Sequence, residues 1–186
     1  MNIGFALCGS FCTFSQVFPV MEQLAHDHSV TPIFSQISST TDSRFGKASE
    51  HLETARTLCG KDPILTISQA EPIGPQKLFD VLLIAPCTGN TLAKLSHGIA
   101  DGPVTMAAKS HLRNGRPVLL AVSTNDALGT AAENIGRLMA RKNIYFVPFS
   151  QDDPKNKPNS MVADFAQIPH AIQAAMEHTQ MQPVIG

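Results

Sequence analysis

The sequence predicts an α/β fold built on a doubly wound parallel sheet, and two patterns carry that expectation. Five short apolar runs lie at 3–8, 30–34, 80–85, 117–122 and 144–148, a length that suits buried strands better than helices. The segments between them hold apolar residues every three or four positions, the helical period. Strands that alternate with helices give a parallel sheet covered on both faces.

Ile3 to Cys8 reads as the first strand, ended by Gly9. Val17, Met21, Leu24 and Ala25 then recur at helical spacing, and Pro19 is compatible only within a first turn or at a kink. Val30 to Phe34 is a second strand despite Pro32, which assigns it to an edge or a strand start. A polar loop covers 35–43, and Ala48, Leu52, Ala55 and Leu58 mark a helix that Gly60 can close in the left-handed conformation. Ile64 to Ile67 is a candidate short strand, and 71–78 is irregular because of Pro72, Gly74 and Pro75. Asp80 to Ala85 is the clearest buried strand. Helices at 91–97 and 104–113 precede a strand at 117–122, a helix at 131–142 and a strand at 144–148. A polar loop near 149–160 and a last helix at 164–178 complete a single domain spanning 1–186, with 181–186 as a loose tail. The whole reads as a flavodoxin/Rossmann-like, three-layer αβα arrangement with right-handed crossovers. Ligands in such sheets sit at the carboxyl ends of the strands, so the turns after Cys8, Phe34, Ala85, Val122 and Pro148 are the places to search.

Composition removes several function classes. With 14 basic and 15 acidic side chains the net charge is -1, which leaves no basic footprint for nucleic acid or an anionic membrane. No Lys or Arg precedes the apolar N-terminal stretch, so a secretory signal is not expected, and the apolar runs are far shorter than a membrane span. The expected location is the cytoplasm. Cys8, Cys12, Cys59 and Cys87 form no CxxC pair and lack His partners at zinc spacing, so free buried thiols are expected and no metal site.

Two loops stand out. In the first, Cys8, Gly9, Ser10 and Phe11, glycine permits close backbone approach, serine offers a hydroxyl, and a helix N-terminus follows to face an anion. Many strand-to-helix turns carry Gly-Ser merely as turn and cap. The second, 86–94, runs from a buried strand through Pro86, Cys87, Thr88, Gly89, Asn90 and Thr91. Asn90 or Thr91 can simply cap the next helix, but capping uses one polar side chain and this loop stacks three at the ligand edge.

The run Pro86, Thr88, Asn90, Thr91, Ala93 and Lys94, followed by 98–101 (Gly-Ile-Ala-Asp), resembles the homo-oligomeric flavin-containing cysteine decarboxylase family over 1–142. The resemblance implies FMN contacts at this loop, the FMN phosphate at Gly9 and Ser10, and subunit packing in trimers or their multiples. It adds Ser38 to the cofactor set and sets Asn125 in the position of that family's substrate-binding asparagine; Ser123 and Thr124 beside it offer neutral donors to a carboxylate. The catalytic histidine of those decarboxylases falls on Pro72, which cannot transfer a proton, and a substrate-packing Trp falls on Gly129. The stretches 70–75, 112–114, 123–126, 147–149, 151–154 and 157–160 resemble a narrower branch of the family. That branch implies work beside a nicotinamide-dependent partner subunit, forming pyridine-2,6-dicarboxylate from a dihydrodipicolinate-type precursor during sporulation.

No catalytic acid or base is assigned. His51, His97 and His111 lack a paired carboxylate or nucleophile at suggestive spacing, and Asp126 is a base only if it does not cap a helix from Ala127. Lys155 and Lys157 either close over an anion or sit in a solvated loop. A self-sufficient FMN decarboxylase and a non-catalytic assembly protein remain as alternatives.

Overall fold

The computed structural model describes residues 1–186. In chain order it has β1 (Asn2–Leu7), α1 (Phe14–Asp27), β2 (Ser29–Phe34), α2 (Gln36–Thr40), α3 (Ala48–Cys59), α4 (Ile67–Ala70), β3 (Val81–Cys87), α5 (Gly89–His97) and α6 (Pro103–Leu112). There follow β4 (Val118–Thr124), α7 (Ala131–Met139), β5 (Ile144–Phe146), β6 (Phe149–Ser150), β7 (Met161–Ala163) and α8 (Ile168–Met176). Five strands pair in parallel in the order β2-β1-β3-β4-β5, the flavodoxin-like arrangement. The chain moves outward in one direction from β1 and in the other from β3, so right-handed crossovers place helices on both faces. Helices α1 and α8 both pack on β3, while α6 covers β2, β3 and β4 beside α5.

The apolar pattern explains this placement. All seven residues of β3 are buried, as a central parallel strand covered twice requires. Helix α1 buries Phe14, Val17, Val20, Met21 and Leu24 along one stripe. Pro19 lies in its second turn on the exposed side, where water can satisfy the carbonyl that proline leaves free. Pro32 sits on the edge strand as expected. Gly60, at φ 61°, closes α3 in the left-handed region.

Four local expectations need correction. The sheet is mixed rather than purely parallel: β7 pairs antiparallel with the end of β4, and β6 with β7. The polar loop at 35–43 contains α2, because Ser35 caps it by accepting from the Ser38 amide. Ile64 makes only a single bridge to Ile33, and Ile67 begins α4, where Thr66 and Gln69 cap each other reciprocally. The tail at 181–186 is tied down, since the Phe149 amide donates to Val184 and the Gly186 amide to Phe149. On the outer edge of β5, the Gln180 side-chain amide bonds both the N–H (2.8 Å) and the C=O (2.7 Å) of Phe146, so it occupies part of an open strand edge.

Candidate functional site

The turns after β1, β3 and β4 meet at the carboxyl end of the sheet. The Ser10 and Ser123 hydroxyls lie 2.7 Å apart, although 113 residues separate them. The Thr91 hydroxyl donates to the Cys8 sulfur at 3.2 Å. A Cβ on Gly89 would stand 3.0 Å from Thr124 Oγ1, so the β3 and β4 turns touch where that glycine has no side chain. β1 and β3 are the strands at which the sheet order reverses, and crevices form where the connections diverge.

Beside this junction lies a cavity of about 470 Å³, within the roughly 300–1,000 Å³ of small-molecule sites. Cys8 and Gly9 line it from the first turn, Thr88, Asn90 and Thr91 from the second, and Ser35 to Ile37 from the start of α2. Its remaining wall is Lys94 with 101–105. The first turns of α5 and α6 both face it, and helix N-termini present free amides and positive dipole ends to an anion. Thr88 is the cap of α5, accepting from the Thr91 amide, so the capping role is filled without Asn90. Asn90 is exposed to the cavity with no internal hydrogen bond. At the mouth the Lys94 ammonium donates to both Asp101 carboxylate oxygens at 2.9 Å, which holds that carboxyl below its ordinary range.

Of the residues singled out in the sequence, Gly9, Thr88, Asn90 and Thr91 line this cavity. Ser10 does not; its hydroxyl turns to the β4 side and meets Ser123. Ser38 is fully buried and spends its hydroxyl on the Leu7 carbonyl at 2.8 Å, tying α2 to β1 rather than facing a ligand. Pro86 is buried within β3 behind the loop. Ser123 is buried, Thr124 is half-buried and Asn125 is exposed at the tip of the β4 turn. The segment 102–105 was not singled out from sequence, and of the turn after Phe34 only Ser38 was named as a contact. The Gly102-Pro103 pair, glycine before a first-turn proline, is the signal that could have found the α6 terminus. Asp126 does not cap a helix from Ala127, because 127–130 is a turn and α7 starts at Ala131. A Cβ on Gly129 would meet the Asp126 carboxylate, so a larger side chain there requires that carboxylate to turn away.

The histidines divide by surroundings. His97 is exposed and bonds its own helix through the Ala93 carbonyl at 2.9 Å. His51 is buried against the rings of Phe11, Phe14 and Phe18, and that desolvation lowers its pKa. His111 is 1% exposed and its Nε2–H donates to the Pro117 carbonyl at the amino end of β4, away from the site. Burial lowers its pKa to about 4 from the ordinary 6.5. Between those values the unfolded chain binds a proton that the folded chain does not, so stability is full above about 6.5 and declines as pH falls toward 4. Urea titrations should show about 2 kcal/mol lost through His111 between about pH 7.5 and about pH 5, and His111→Gln should remove that part of the pH dependence.

Burial raises the Cys8 thiol to about 11, with Thr91 and Thr88 opposing, and raises Cys87 further still, so neither is a thiolate near neutral pH. Cys12 is exposed and Cys59 half-buried, which corrects the expectation that all four thiols are buried.

Sheet order, switch-point cavity and helix N-termini define a flavodoxin-like α/β protein with a ligand-sized cavity at its switch point. The chain belongs to the Flavoprotein family, whose profile matches residues 1–178. It is similar to the B subunit of dipicolinate synthase from Bacillus subtilis (strain 168), 47% identical over 185 residues, covering 99% of this chain and 92% of the relative. The crystal structure of the B subunit of dipicolinate synthase from Bacillus halodurans C superposes with a TM-score of 0.91 at 45% identity, covering 100% of this chain and 95% of that one. Burkholderia xenovorans DmrB, solved in complex with FMN, has a TM-score of 0.70 over 95% of each chain; at 14% identity the likeness is one of fold.

Proposed function

We propose that this chain is one component of a dipicolinate synthase, an oxidoreductase that forms pyridine-2,6-dicarboxylate from a dihydrodipicolinate-type precursor in the cytoplasm of a sporulating cell. The observation that carries the reading is the near-full-length identity to the Bacillus subtilis B subunit, joined to a ligand-sized cavity lined by the β1 and β3 turns beside the point where Ser10 meets Ser123. Aromatising the dihydro ring removes two electrons and two protons. NAD(P) held by the partner, the A subunit of dipicolinate synthase, would be the final acceptor of that electron pair and one proton, and the other proton would be released. A homo-oligomer, a trimer or a multiple of it, is the expected assembly.

The residues present fit FMN. Asn90 has a free side-chain amide, Gly9 leaves room for close approach, and two helix N-termini suit a phosphate. When bound, a flavin supplies a planar two-electron acceptor. On this reading the chain's own residues orient the heterocycle against that plane, with Ser123, Thr124 and Asn125 donating to a carboxylate. Gln36 and Ile37 line the cavity on the α2 side. Pro72 sits in the 3-10 turn 71–73, and its own ring carries no proton to transfer.

Mixing the purified chain with FMN and then desalting should leave a flavin absorption band on the protein. Adding the chain to its nicotinamide-dependent partner should raise dipicolinate formation by at least tenfold. Full turnover by the partner on its own would remove the proposed role in the synthase, and a colourless desalted protein would remove the cofactor.

A further inference from the structure

We propose that a second cavity, at the amino ends of β4 and β5, binds a phosphate monoester of mononucleotide size. It holds about 750 Å³, within the range of small-molecule sites. Arg141, Lys142 and Asn143 line it from the turn between α7 and β5, Gly115 from the turn before β4, and His178 from the segment after α8. The flavin cavity lies at the opposite, carboxyl end of the sheet and shares no residue with this one. Two of the residues around it are held in an uncommon backbone state. Asn143 and His178 are left-handed, at φ 64° and 57°, and among non-glycine residues only Lys77 joins them. His178 occupies the position after α8 at which glycine is usual: its amide donates to Ala175 at 3.1 Å, and the Thr179 amide to Ala174 at 2.9 Å. A β-carbon is unfavourable there, so the imidazole stands where the backbone by itself favours glycine. Strain of this kind collects at ligand sites.

The polar part of the lining consists of donors. No carboxylate lines the cavity, and neither Arg141 nor Lys142 pairs with an acid elsewhere. In a chain of net charge -1, two adjacent cations left uncancelled concentrate positive potential in one recess. Arg141 donates to the Leu95 carbonyl at 3.2 Å and to the Ser96 carbonyl at 2.6 Å, which anchors its guanidinium without neutralising it. Lys142 is exposed and has no internal partner. The Asn143 carbonyl accepts from the Val118 amide at 2.8 Å, while its side-chain amide is unspent and offers two N–H donors. The Tyr145 hydroxyl stands 3.5 Å from His178 Nδ1, too far for a strong bond, so both groups can turn to a third. A phosphate monoester brings three strong acceptor oxygens to such a lining. One phosphate group fills only a small part of this volume. Met139, Ile144, Val184 and the Tyr145 ring supply an apolar wall for the organic part, and thioether and aromatic surfaces suit a planar ring.

Calorimetry on the full chain, with adenosine monophosphate, adenosine and inorganic phosphate as probes, tests this. Adenosine monophosphate should bind about tenfold or more tightly than either fragment. Lys142→Met should lose about tenfold of that affinity, whereas Lys109→Met, which removes an exposed charge from α6, should lose none. His178→Gly should weaken binding about threefold while holding or raising the urea midpoint, since glycine suits the left-handed position; a histidine with only a structural role would move the midpoint alone. Gly9→Val should leave the affinity for adenosine monophosphate as it is, because Gly9 lines the other cavity. Absence of binding, equal affinities for adenosine monophosphate and adenosine, or full affinity in Lys142→Met overturns the proposal. A loss in Gly9→Val overturns it too, by assigning the nucleotide to the flavin cavity.

Discussion

Replacing Gly9 with valine should weaken FMN binding by on the order of 100-fold, about 2.7 kcal/mol, while leaving the urea midpoint almost unmoved. Gly9 lines the cavity, and a Cβ there would already stand 3.1 Å from Ile37 Cγ2. Ile37 is 55% exposed and can swing aside for one methyl group, so Gly9→Ala should cost only a few-fold. The two further methyls of valine have to enter the cavity itself. Gly9 does not need a left-handed backbone, so neither substitution strains the chain. Fluorescence titration of free FMN measures the loss. Wild-type affinity in Gly9→Val would mean that the flavin does not lie against the β1 turn.

Phe5→Ala should be the most damaging of the simple truncations, at about 3–5 kcal/mol. Phe5 is fully buried in β1, level with Pro32 on one side and Leu83 on the other, at the centre of a core of 46 buried residues. The strand above and below it is pinned on both edges by parallel pairing, so the cavity left behind cannot collapse well. Ile37→Ala removes a similar kind of surface from an exposed position and should stay within about 0.5 kcal/mol. Chemical denaturation of both variants decides the matter. Equal losses would contradict the packing described for β1.

The strands at 3–8, 80–85 and 117–122 were legible because a strand covered on both faces is a continuous apolar run, and runs this short suit a strand better than a buried helix. The α3 helix and its Gly60 stop were legible for the same reason: the apolar spacing and the left-handed cap are properties of neighbouring residues. The polar segment 35–40 was not. A helix of five residues has too few positions to show a period, and Ser35 as its cap is indistinguishable from a serine in a loop. Ser38 illustrates the limit at the site. The family resemblance suggested a ligand contact there, yet whether it faces a cavity or the Leu7 carbonyl depends on how α2 leans on β1.

By itself the sequence determined the order of the five parallel strands along the chain, the edge position of Pro32 and a net charge of -1. These follow from hydrophobic period, backbone restriction and net charge, which act within a few residues or over the whole chain without regard to contacts. Only the tertiary structure decided that Ser10 meets Ser123, that Thr91 meets Cys8, and that the hairpin at 149–163 pairs with the end of β4. Each joins segments that no local pattern relates. They come together because the parallel sheet stacks β1, β3 and β4 side by side and sends all three turns out of the same edge.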